Sequence, residues 1–510
     1  MSLAVLLANA ARRHAGRPAV SLGAATVFSY GQMGARAAAL AGGMAVRHGL
    51  RPGDRVALAL RNGPEYLEIL FACWHAGLVA APMNAKLHAQ ELAFMAGDCG
   101  ARLVFADDDI AAALAPHLPG VTMLVPGSAD YRRLLAADPA PLHPADPGDL
   151  AWLFYTSGTT GKPKGAMLSH RNLMAMAIGY LADVDMLDER DGLIHLAATS
   201  HASGLFGLSF VAKGANNILP ESGGYDGAEL AALIARRERL SFFVPATLLR
   251  RMVADPALLA VPQGHIRTIL LGAAPVYPQD LRAGVQAFGP RLWNGYGQGE
   301  SPCTITAISQ REIAEALAGG DEARLASVGH ARSGMQVMVA DDSGRPVAPG
   351  ETGEVLVRGE TVMAGYWNRP QATAETLRSG WLHTGDMGRM DEAGFLWLLD
   401  RRKDVIISGG VNIYAREIED ILHDHPGIAE AAVVGRPHPE WGESVAAFVV
   451  PRPDSPFGPT EWESHLAQRL ARFKRPRDWR VVTELPKNAA GKVLKRDLRA
   501  ALAIEEQGAG

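Results

Sequence analysis

The sequence has few cysteines, no long apolar run and no excess of basic charge. Cys73, Cys99 and Cys303 are its only cysteines, and their unrelated spacings indicate neither a disulfide framework nor a thiolate zinc site, so we expect a reducing, cytoplasmic compartment. Because no run of about twenty apolar residues is present, the sequence predicts no transmembrane segment. A formal net charge of -4 supplies no basic field, so no nucleic-acid partner is expected.

Lysine is also scarce. Of the 50 basic residues nine are lysines, so arginine supplies most of the ordinary positive charge. A compact ammonium on a flexible stem can move between phosphate and carboxylate oxygens, whereas a planar guanidinium favours fixed bidentate pairing. Six of the nine lysines lie in glycine-rich or polar motifs: Lys162, Lys164, Lys403, Lys487, Lys492 and Lys495.

The most informative motif runs from Tyr155 to Gly165. It combines three glycines, four Ser/Thr hydroxyls and two lysines directly after an apolar stretch that predicts a strand. Glycine allows the backbone to approach closely, and bare N–H groups at the end of a strand can converge on phosphate oxygens. Lys162 is followed by Pro163, which departs from the GxxxxGK[ST] loop of kinases and GTPases. The motif predicts a triphosphate loop, and the alternative is a solvated polar turn.

Three further segments carry candidate chemistry. In the segment from Asn294 to Pro302, Tyr296 is suited to stacking on a base and Glu300 to binding Mg²⁺, although a glycine-rich turn with an exposed carboxylate would look the same. Asp386 follows a glycine and can accept from both hydroxyls of a ribose, with Arg401 on the other side of the sugar, although an Asp in a turn is usually structural. Lys492 follows a flexible glycine near the C-terminus, where a lysine is ordinarily only solvated.

The order of apolar and polar segments predicts an α/β organisation. The stretch 54–83 alternates strand and helix, residues 230–237 predict a helix, and 335–402 predict a small antiparallel β region. Beyond Arg401 a smaller unit is expected, with a hairpin over 405–414, a helix over 416–423, strands at 430–434 and 444–450, and a second helix with a Thr460/Glu463 capping box.

With these motifs in this order, the chain resembles the adenylate-forming synthetase superfamily, which includes acyl-CoA synthetases, 4-coumarate:CoA ligases and beetle luciferases. The resemblance implies a large N-terminal domain (1–402) of α/β subdomains plus a small β-barrel-like region, and a smaller mobile α+β C-terminal domain (403–510) hinged near Lys403. It also implies ATP, Mg²⁺ and CoA as cofactors or co-substrates and a small-molecule carboxylic acid as the substrate. Fatty acid metabolism is one pathway in which such an enzyme would act. Whether the protein forms a homodimer stays open.

The resemblance also implies roles for individual residues. Lys492 would bridge the substrate carboxylate and the phosphate, Glu300 would bind Mg²⁺, and His201 would stand beside the acyl pocket, where a structural histidine is the alternative. In the second half-reaction Gly410 would leave room for pantetheine. The remaining nucleotide and co-substrate positions are Thr156, Ser157, Gly158, Thr159, Thr160, Lys164, Gly272, Ala273, Ala274, Asn294, Gly295, Tyr296, Gly297, Asp386, Arg401, Lys403 and Gly409.

The chain departs from the family pattern at several positions. Gly299 stands where a threonine is usual, Ala415 replaces a proline, Ala490 replaces Ser or Thr, and the segment 329–334 lacks the usual prolines. None of these changes removes a charged catalytic group, so an active enzyme is expected.

The leading hypothesis is an AMP-forming acid:CoA ligase. Transfer of the acyl group to a carrier-protein thiol is the alternative within the superfamily, and a catalytically idle nucleotide-binding regulatory protein is the alternative outside it. The candidate acyl-pocket residues are apolar or small and suggest no nearby cation, which favours aromatic or longer aliphatic monocarboxylates over short diacids. They are Phe242, Phe243, Val244, Ala273, Gly297, Pro302 and Cys303.

Overall fold

The computed structural model describes residues 2–156, 162–453, 455–488 and 491–508, with side chains described through residue 502. Its helices are α1 (Ala4–Arg13), α2 (Tyr30–His48), α3 (Pro64–His75), α4 (Ala89–Asp98), α5 (Asp108–Leu114), α6 (Ala129–Leu135), α7 (His170–Asp183), α8 (Ala202–Ala212), α9 (Gly227–Arg236), α10 (Ala246–Val253), α11 (Pro256–Leu259), α12 (Pro278–Phe288), α13 (Gln310–Gly319), α14 (Glu322–Leu325), α15 (Pro370–Thr376), α16 (Ala415–His423), α17 (Pro459–Ala467) and α18 (Lys495–Gly508).

The strands are β1 (Pro18–Leu22), β2 (Ala25–Ser29), β3 (Arg55–Ala59), β4 (Val79–Pro82), β5 (Leu103–Ala106), β6 (Thr122–Leu124), β7 (Leu150–Thr156), β8 (Lys164–Ser169), β9 (Gly192–Ile194), β10 (Asn216–Leu219), β11 (Leu240–Val244), β12 (Ile266–Leu271), β13 (Leu292–Gln298), β14 (Ser301–Ile308), β15 (His330–Ala331), β16 (Met335–Ala340), β17 (Thr352–Gly359), β18 (Leu377–Arg378), β19 (Trp381–Met390), β20 (Leu396–Arg401), β21 (Ile406–Ser408), β22 (Val411–Ile413), β23 (Ile428–His438), β24 (Gly442–Pro451) and β25 (Asp478–Val481).

Two largely parallel sheets form most of the N-terminal part. One has nine strands in the order β15-β14-β13-β12-β11-β9-β10-β1-β2, and the other has six in the order β6-β5-β3-β4-β7-β8. Their central strands are buried on both faces by helices, as β11 illustrates with five buried residues in succession. In such sheets ligands bind beyond the carboxyl ends of the strands.

A five-stranded antiparallel sheet contains β16 to β20, as the sequence predicts for 335–402. The segment that follows β17 joins strand β8 of the six-stranded sheet, because Met167 N donates to the Gly365 carbonyl and Trp367 N donates to the Gly165 carbonyl (2.8 Å each). In this antiparallel sheet Asp386 of β19 pairs directly with Arg401 of β20. The two residues that the sequence assigns to one sugar are therefore neighbours.

The C-terminal part has a sheet and hydrophobic clusters of its own. Strands β21 to β25 form one sheet, and the apolar side chains of α16 and α17 pack with it around Val433 and Val449. A smaller cluster joins the opposite face of this sheet to Leu498 and Leu502 of α18. The predicted hairpin, helix and strands of this unit are confirmed, whereas the boundary at residue 403 stays a prediction.

The predicted capping box of α17 is wrong. The N-cap is Gly458, Pro459 is the first helical residue, and Glu461 accepts a hydrogen bond from the Gly458 N–H (3.0 Å). Proline suits the first helical position because it needs no hydrogen-bond donor there, so the helix begins before Thr460. No helix of the described residues has the length and apolar character that a bilayer crossing requires.

Candidate active site

The two ends of the predicted phosphate loop meet at one point. Strands β7 and β8 are antiparallel neighbours, with Thr156 directly opposite Lys164. Ser157, Gly158, Thr159 and Thr160 lie outside the described residues. The Lys164 ammonium lies 5.1 Å from the centre of the Tyr366 ring, a distance at which cation–π attraction holds it beside the loop.

Glu300 lies beside the same loop. Its Oε1 accepts hydrogen bonds from Thr156 Oγ1 (3.1 Å) and from Tyr366 Oη (2.7 Å). Burial raises the pKa of Tyr366, which keeps its hydroxyl protonated and able to donate. The Glu300 backbone is also fixed, because its carbonyl accepts from Met363 N (2.8 Å). The carboxylate is therefore oriented next to the predicted phosphate position.

A second carboxylate lies at the centre of a hydrogen-bonded group. Asp386 accepts from Tyr296 Oη and Gln298 Nε2, and its other oxygen pairs with Arg401 Nε at 2.6 Å. Gln298 also donates to the Thr384 carbonyl (3.0 Å), which fixes its orientation. The structure thus brings Tyr296, Asp386 and Arg401 together, as the sequence analysis expects.

Lys492 reaches this group from the C-terminal part of the chain. Its backbone N–H donates to Asn488 Oδ1 (2.9 Å), and Lys487 pairs with Val493 to form a small loop. A Cβ on the adjoining Gly491 would lie 3.4 Å from Thr247 Oγ1, so the loop packs against α10. The side chain keeps solvent contact, but the surrounding protein partly desolvates it. That desolvation is the first cause of its lowered pKa; Arg401 and Lys403 lower the pKa further, and Asp386 and Asp404 raise it.

His201 lies at the start of α8. Its Nδ1 is 2.8 Å from Ser200 Oγ, and its ring meets the Phe154 ring edge-on at 5.2 Å. Burial lowers the pKa of His201 to about 4, so the ring is neutral near pH 7. A neutral imidazole beside an apolar ring is suited to line a pocket, and it does not supply a positive charge to a carboxylate.

The predicted adenine and acyl segments follow the carboxyl ends of neighbouring strands. Gly272 and Ala273 come after β12, and Asn294, Gly295 and Gly297 belong to β13. A Cβ on Gly272 would lie 3.0 Å from the Gly295 carbonyl oxygen and 3.4 Å from the Phe243 ring, so a glycine is needed for this close approach. Ala273 has a φ of 64°, and Ala274 follows it in the same loop.

Gly409 and Gly410 are exposed residues of the C-terminal part of the chain. They form the turn between β21 and β22 with φ angles of 57° and 79°, and Gly409 N donates to the Trp441 carbonyl (2.8 Å) within the same unit. A Cβ on Gly410 would meet nothing within 4 Å. The loop that carries Lys492 therefore packs against the N-terminal part of the chain, whereas the glycine turn lies on the surface.

Family models and known proteins agree with this geometry. The model described as AMP-binding enzyme matches residues 7–367, and the model of the AMP-binding enzyme C-terminal domain matches residues 417–492. The chain belongs to the AMP-binding enzyme family.

Relatives within this family act on different acids and acceptors. The chain is 39% identical to a feruloyl-CoA synthase of Amycolatopsis sp over 93% of its own length and 94% of the relative. It is 34% identical to the fatty acid–[acyl-carrier-protein] ligase ScoC of Streptomyces coeruleorubidus, covering 88% and 87%. The o-succinylbenzoate CoA synthetase MenE of Bacillus subtilis, solved with its acyl-adenylate intermediate OSB-AMP, superposes with a TM-score of 0.85 at 30% identity, covering 97% of both chains.

Sequence reasoning missed several residues of this AMP-binding enzyme. Gln298 and Tyr366 hold the two carboxylates, yet Gln298 is assigned no role within the motif from Asn294 to Pro302 and Tyr366 lies outside every motif. The sequence analysis also overlooks the buried Arg332, whose guanidinium lies 5.3 Å from the Trp293 ring centre and donates to the Cys303 carbonyl (2.6 Å). The signal was present in the sequence, because an arginine occupies the segment 329–334 where the family prolines are missing.

Proposed function

We propose that the chain is an AMP-forming carboxylic acid:CoA ligase. In the first half-reaction a carboxylate oxygen attacks the α-phosphorus of ATP, and the bond to pyrophosphate breaks. In the second, the sulfur of CoA attacks the acyl carbon, the thiol proton is lost, and AMP leaves. The observation that carries the proposal is the packing of the Lys492 loop against α10, where a Cβ on Gly491 would lie 3.4 Å from Thr247 Oγ1, because this brings the C-terminal lysine against the N-terminal part of the chain.

Lys492 has an electrostatic task in the first half-reaction. Two like charges about 4 Å apart repel by roughly 4 kcal/mol at an effective dielectric constant of about 20, so a carboxylate needs cations in order to approach a triphosphate. Lys492 and Lys164 stand on different elements facing the cleft and would neutralise this repulsion. Desolvation lowers the pKa of Lys492, and the carboxylates of Asp386 and Asp404 oppose this shift by favouring the charged ammonium.

The nucleotide would lie between the two hydrogen-bonded carboxylates. Thr156 and Lys164, together with residues 157–160, would bind phosphate oxygens. Tyr296 would stack on adenine, while Asp386 and Arg401 would bind the ribose hydroxyls. Oδ2 of Asp386 already accepts two hydrogen bonds, whereas Oδ1 has Arg401 as its partner and can accept one ribose hydroxyl as well.

The residues present fit a magnesium ion that arrives with ATP. Glu300 offers a fixed carboxylate, and among the described residues no cluster of three His, Cys, Asp or Glu side chains could hold a metal unaided. Mg²⁺ commonly binds through one or two carboxylates and substrate phosphates, which is the set available here. When bound, the ion would neutralise phosphate charge.

CoA is the proposed acceptor, and a carrier-protein thiol is the alternative. The Gly409–Gly410 turn lies outside the cleft in this arrangement, so thiol transfer would need the C-terminal domain (403–510) to rotate about Lys403 and present the turn to the acyl-adenylate. The acid is proposed to carry an aromatic ring, because Phe206, Phe243 and Trp293 pack around Cys303. A cytoplasmic location and a homodimer stay predictions.

The test is to measure the two half-reactions of Lys492→Ala separately. Pyrophosphate release with a panel of acids should fall at least about a hundredfold, because the lost charge acts on the developing bond to phosphate. Thioester formation from supplied acyl-adenylate should fall much less. Lys487→Ala is the matched control, since Lys487 lies in the same loop but pairs with Glu430 (2.6 Å).

Three outcomes would contradict parts of the proposal. An equal loss in both half-reactions would show that Lys492 does not act specifically in the adenylation step. Measurable ATP binding without pyrophosphate release, with any acid, would favour the idle regulatory protein. Thioester formation on a carrier protein but not on CoA would favour the alternative acceptor.

A further inference from the structure

A lysine near Lys492 bridges two buried carboxylates. Lys495 begins α18, and its ammonium lies 3.1 Å from Glu419 Oε1 and 3.5 Å from Asp400 Oδ2. The Asp400 side chain is 6% exposed and that of Glu419 is 8% exposed. Asp400 belongs to β20 and precedes the turn Arg402–Asp404, which is the joint between the two parts of the chain, whereas Glu419 of α16 follows it. Of the two ion pairs, the one with Asp400 crosses the joint and the one with Glu419 does not.

A backbone donor reaches the same carboxylate oxygen across the joint. Ala415 N, at the start of α16, donates to Asp400 Oδ2 (3.1 Å). The other oxygen of Asp400 accepts from Arg401 N (2.8 Å), which orients the carboxylate. Ala415 stands where the family pattern has a proline, and a proline has no N–H to donate. The hydrogen bond therefore exists because this chain departs from the pattern.

Lys495 also lies at the base of the loop that carries Lys492. Leu494 N donates to the Pro486 carbonyl (2.8 Å) and closes this loop, while Asn488 N donates to the Lys492 carbonyl (2.9 Å) within it. Because Lys495 directly follows Leu494, attachment of its side chain to β20 limits where the loop can lie relative to the N-terminal part of the chain.

The bridge depends on the arrangement of the two parts. Burial alone would lower the pKa of Lys495, but the carboxylates of Glu419 and Asp400 raise it above its ordinary value, so the bridging group is a charged ammonium. A buried charge that loses its partner is left uncompensated. Rotation at the joint would move Lys495 together with Glu419 and would separate both Lys495 and Ala415 N from Asp400. A contact made in one arrangement only shifts the equilibrium toward that arrangement.

We propose that Lys495 is a positioning residue for the first half-reaction: together with the Ala415 N–H it holds Asp400 across the joint, and this keeps the Lys492 loop against the N-terminal part of the chain. The inference rests on the proposed function. Lys495 acts through the position of Lys492 and not on the reacting atoms. Release of Asp400 is then required before the C-terminal part can rotate for thioester formation.

The experiment measures two single-turnover rates, pyrophosphate release and thioester formation from supplied acyl-adenylate, and compares their ratio among variants. Asp400→Asn removes the charge that attracts Lys495 and keeps an oxygen that can accept from Ala415 N. The ratio of thioester formation to pyrophosphate release should rise about tenfold, because the adenylation arrangement loses a charge-assisted contact. Ala415→Pro removes the N–H and suits the first position of a helix, so it should raise the ratio as well.

Two matched controls separate positioning from stability. Glu419→Gln alters the partner of Lys495 that does not cross the joint, so it should lower the melting temperature and leave the ratio unchanged. Ala415→Gly changes the side chain but keeps the N–H, and it should also leave the ratio unchanged. If Asp400→Asn does not fold, the comparison of Ala415→Pro with Ala415→Gly decides, and equal ratios in these two variants overturn the inference.

The remaining outcomes distinguish this inference from the proposed function. If Asp400→Asn slows both half-reactions alike, or changes the ratio no more than Glu419→Gln does, Lys495 is structural only and the inference is overturned. An unchanged ratio in an active Asp400→Asn enzyme overturns the inference while the ligase function stands. If the unsubstituted protein releases no pyrophosphate with any acid, both the inference and the proposed function are wrong.

Discussion

Gly299 shows how one residue depends on its neighbours. A Cβ at this position would lie 2.3 Å from Thr156 Cγ2 and 2.6 Å from the Phe154 ring, which is too close for either group. The position where the family usually has threonine is therefore already filled by side chains of β7. The missing hydroxyl is explained by packing, and it gives no reason to regard the protein as inactive.

We expect Gly299→Ala to reduce pyrophosphate release by about tenfold or more, because overpacking costs about 1–3 kcal/mol and the strain falls on Thr156 beside Glu300. Adding Thr156→Ser should restore part of the rate, since serine lacks the clashing methyl group and keeps the hydroxyl that donates to Glu300. Steady-state kinetics of the single and double variants checks this. Failure of serine to restore any activity would show that the clash is not the cause.

Three buried histidines make stability depend on pH. Burial lowers the pKa of His170, His195 and His201 to about 4 in each case. In the unfolded chain the same histidines bind protons near pH 6.5. Their contribution to folding stability is therefore fully present above that pH and is lost as the pH falls toward 4. Each histidine should lower the free energy of unfolding by about 2 kcal/mol at pH 5 relative to pH 8. Urea unfolding at several pH values measures this loss.

His170→Gln provides the control for this prediction. Glutamine can accept the hydrogen bond that His170 Nδ1 accepts from Leu3 N (3.1 Å), and it does not titrate. The dependence of the unfolding free energy on pH should become shallower by the contribution of one histidine. An unchanged slope would mean that other groups cause the acid instability.

At the residue scale, local chemistry could be predicted and distant partners could not. Glycines, lysines and carboxylates in short motifs reveal their chemistry because a few adjacent residues suffice. Tyr366 is 66 positions from Glu300 and Gln298 is 88 positions from Asp386, so their hydrogen bonds depend on how separate strands meet. Arg332 was missed for the same reason.

At the scale of elements, the joint between the two parts of the chain is short. After β20, residues Arg402–Asp404 form a single helical turn, and β21 begins at Ile406. Asp404 Oδ1 pairs with Arg499 of α18 at 2.7 Å, and Asp400 Oδ2 accepts from Ala415 N (3.1 Å) at the start of α16. Asp404 and Arg499 both follow the joint and would move together, so rotation about Lys403 would have to break the hydrogen bond between Ala415 N and Asp400 and not this ion pair.

We expect Lys403→Pro to slow thioester formation by about tenfold or more while adenylation changes little, because proline fixes φ and limits rotation at the joint. Lys403→Ala removes the charge but keeps the rotation, so it serves as the matched control. Stopped-flow measurement of the two half-reactions separates the effects. Unchanged thioester formation in the proline variant would place the hinge elsewhere.

Periodic elements were predictable because strand and helix patterns are local. The antiparallel region over 335–402 and the helix over 416–423 are confirmed. The start of α17 was not, because Pro459 competes with Thr460 for the first turn and only the backbone geometry decides between them.

At the scale of the whole molecule, an aromatic contact joins the two parts next to Lys492. Tyr277, before α12, meets the His423 ring of α16 at 4.0 Å between ring centres. The guanidinium of Arg416 lies 4.4 Å over the Tyr277 ring, and Arg416 Nη2 donates to the Val276 carbonyl (3.1 Å). From the N-terminal side, Arg250 lies 5.6 Å from the same ring. A single tyrosine thus lies among three side chains at the interface.

This contact should favour the arrangement in which Lys492 lies in the cleft. Tyr277→Ala removes the ring and leaves two guanidinium groups near each other, so we expect adenylation to fall by about tenfold, while thioester formation from supplied acyl-adenylate is kept or increased. Tyr277→Phe should behave as the wild type, because the recorded contacts use the ring and its π face. Separate assays of the two half-reactions, with small-angle scattering to follow the domain arrangement, test this. If phenylalanine fails to restore adenylation, or if alanine slows both half-reactions equally, the ring stabilises the fold and does not select between arrangements.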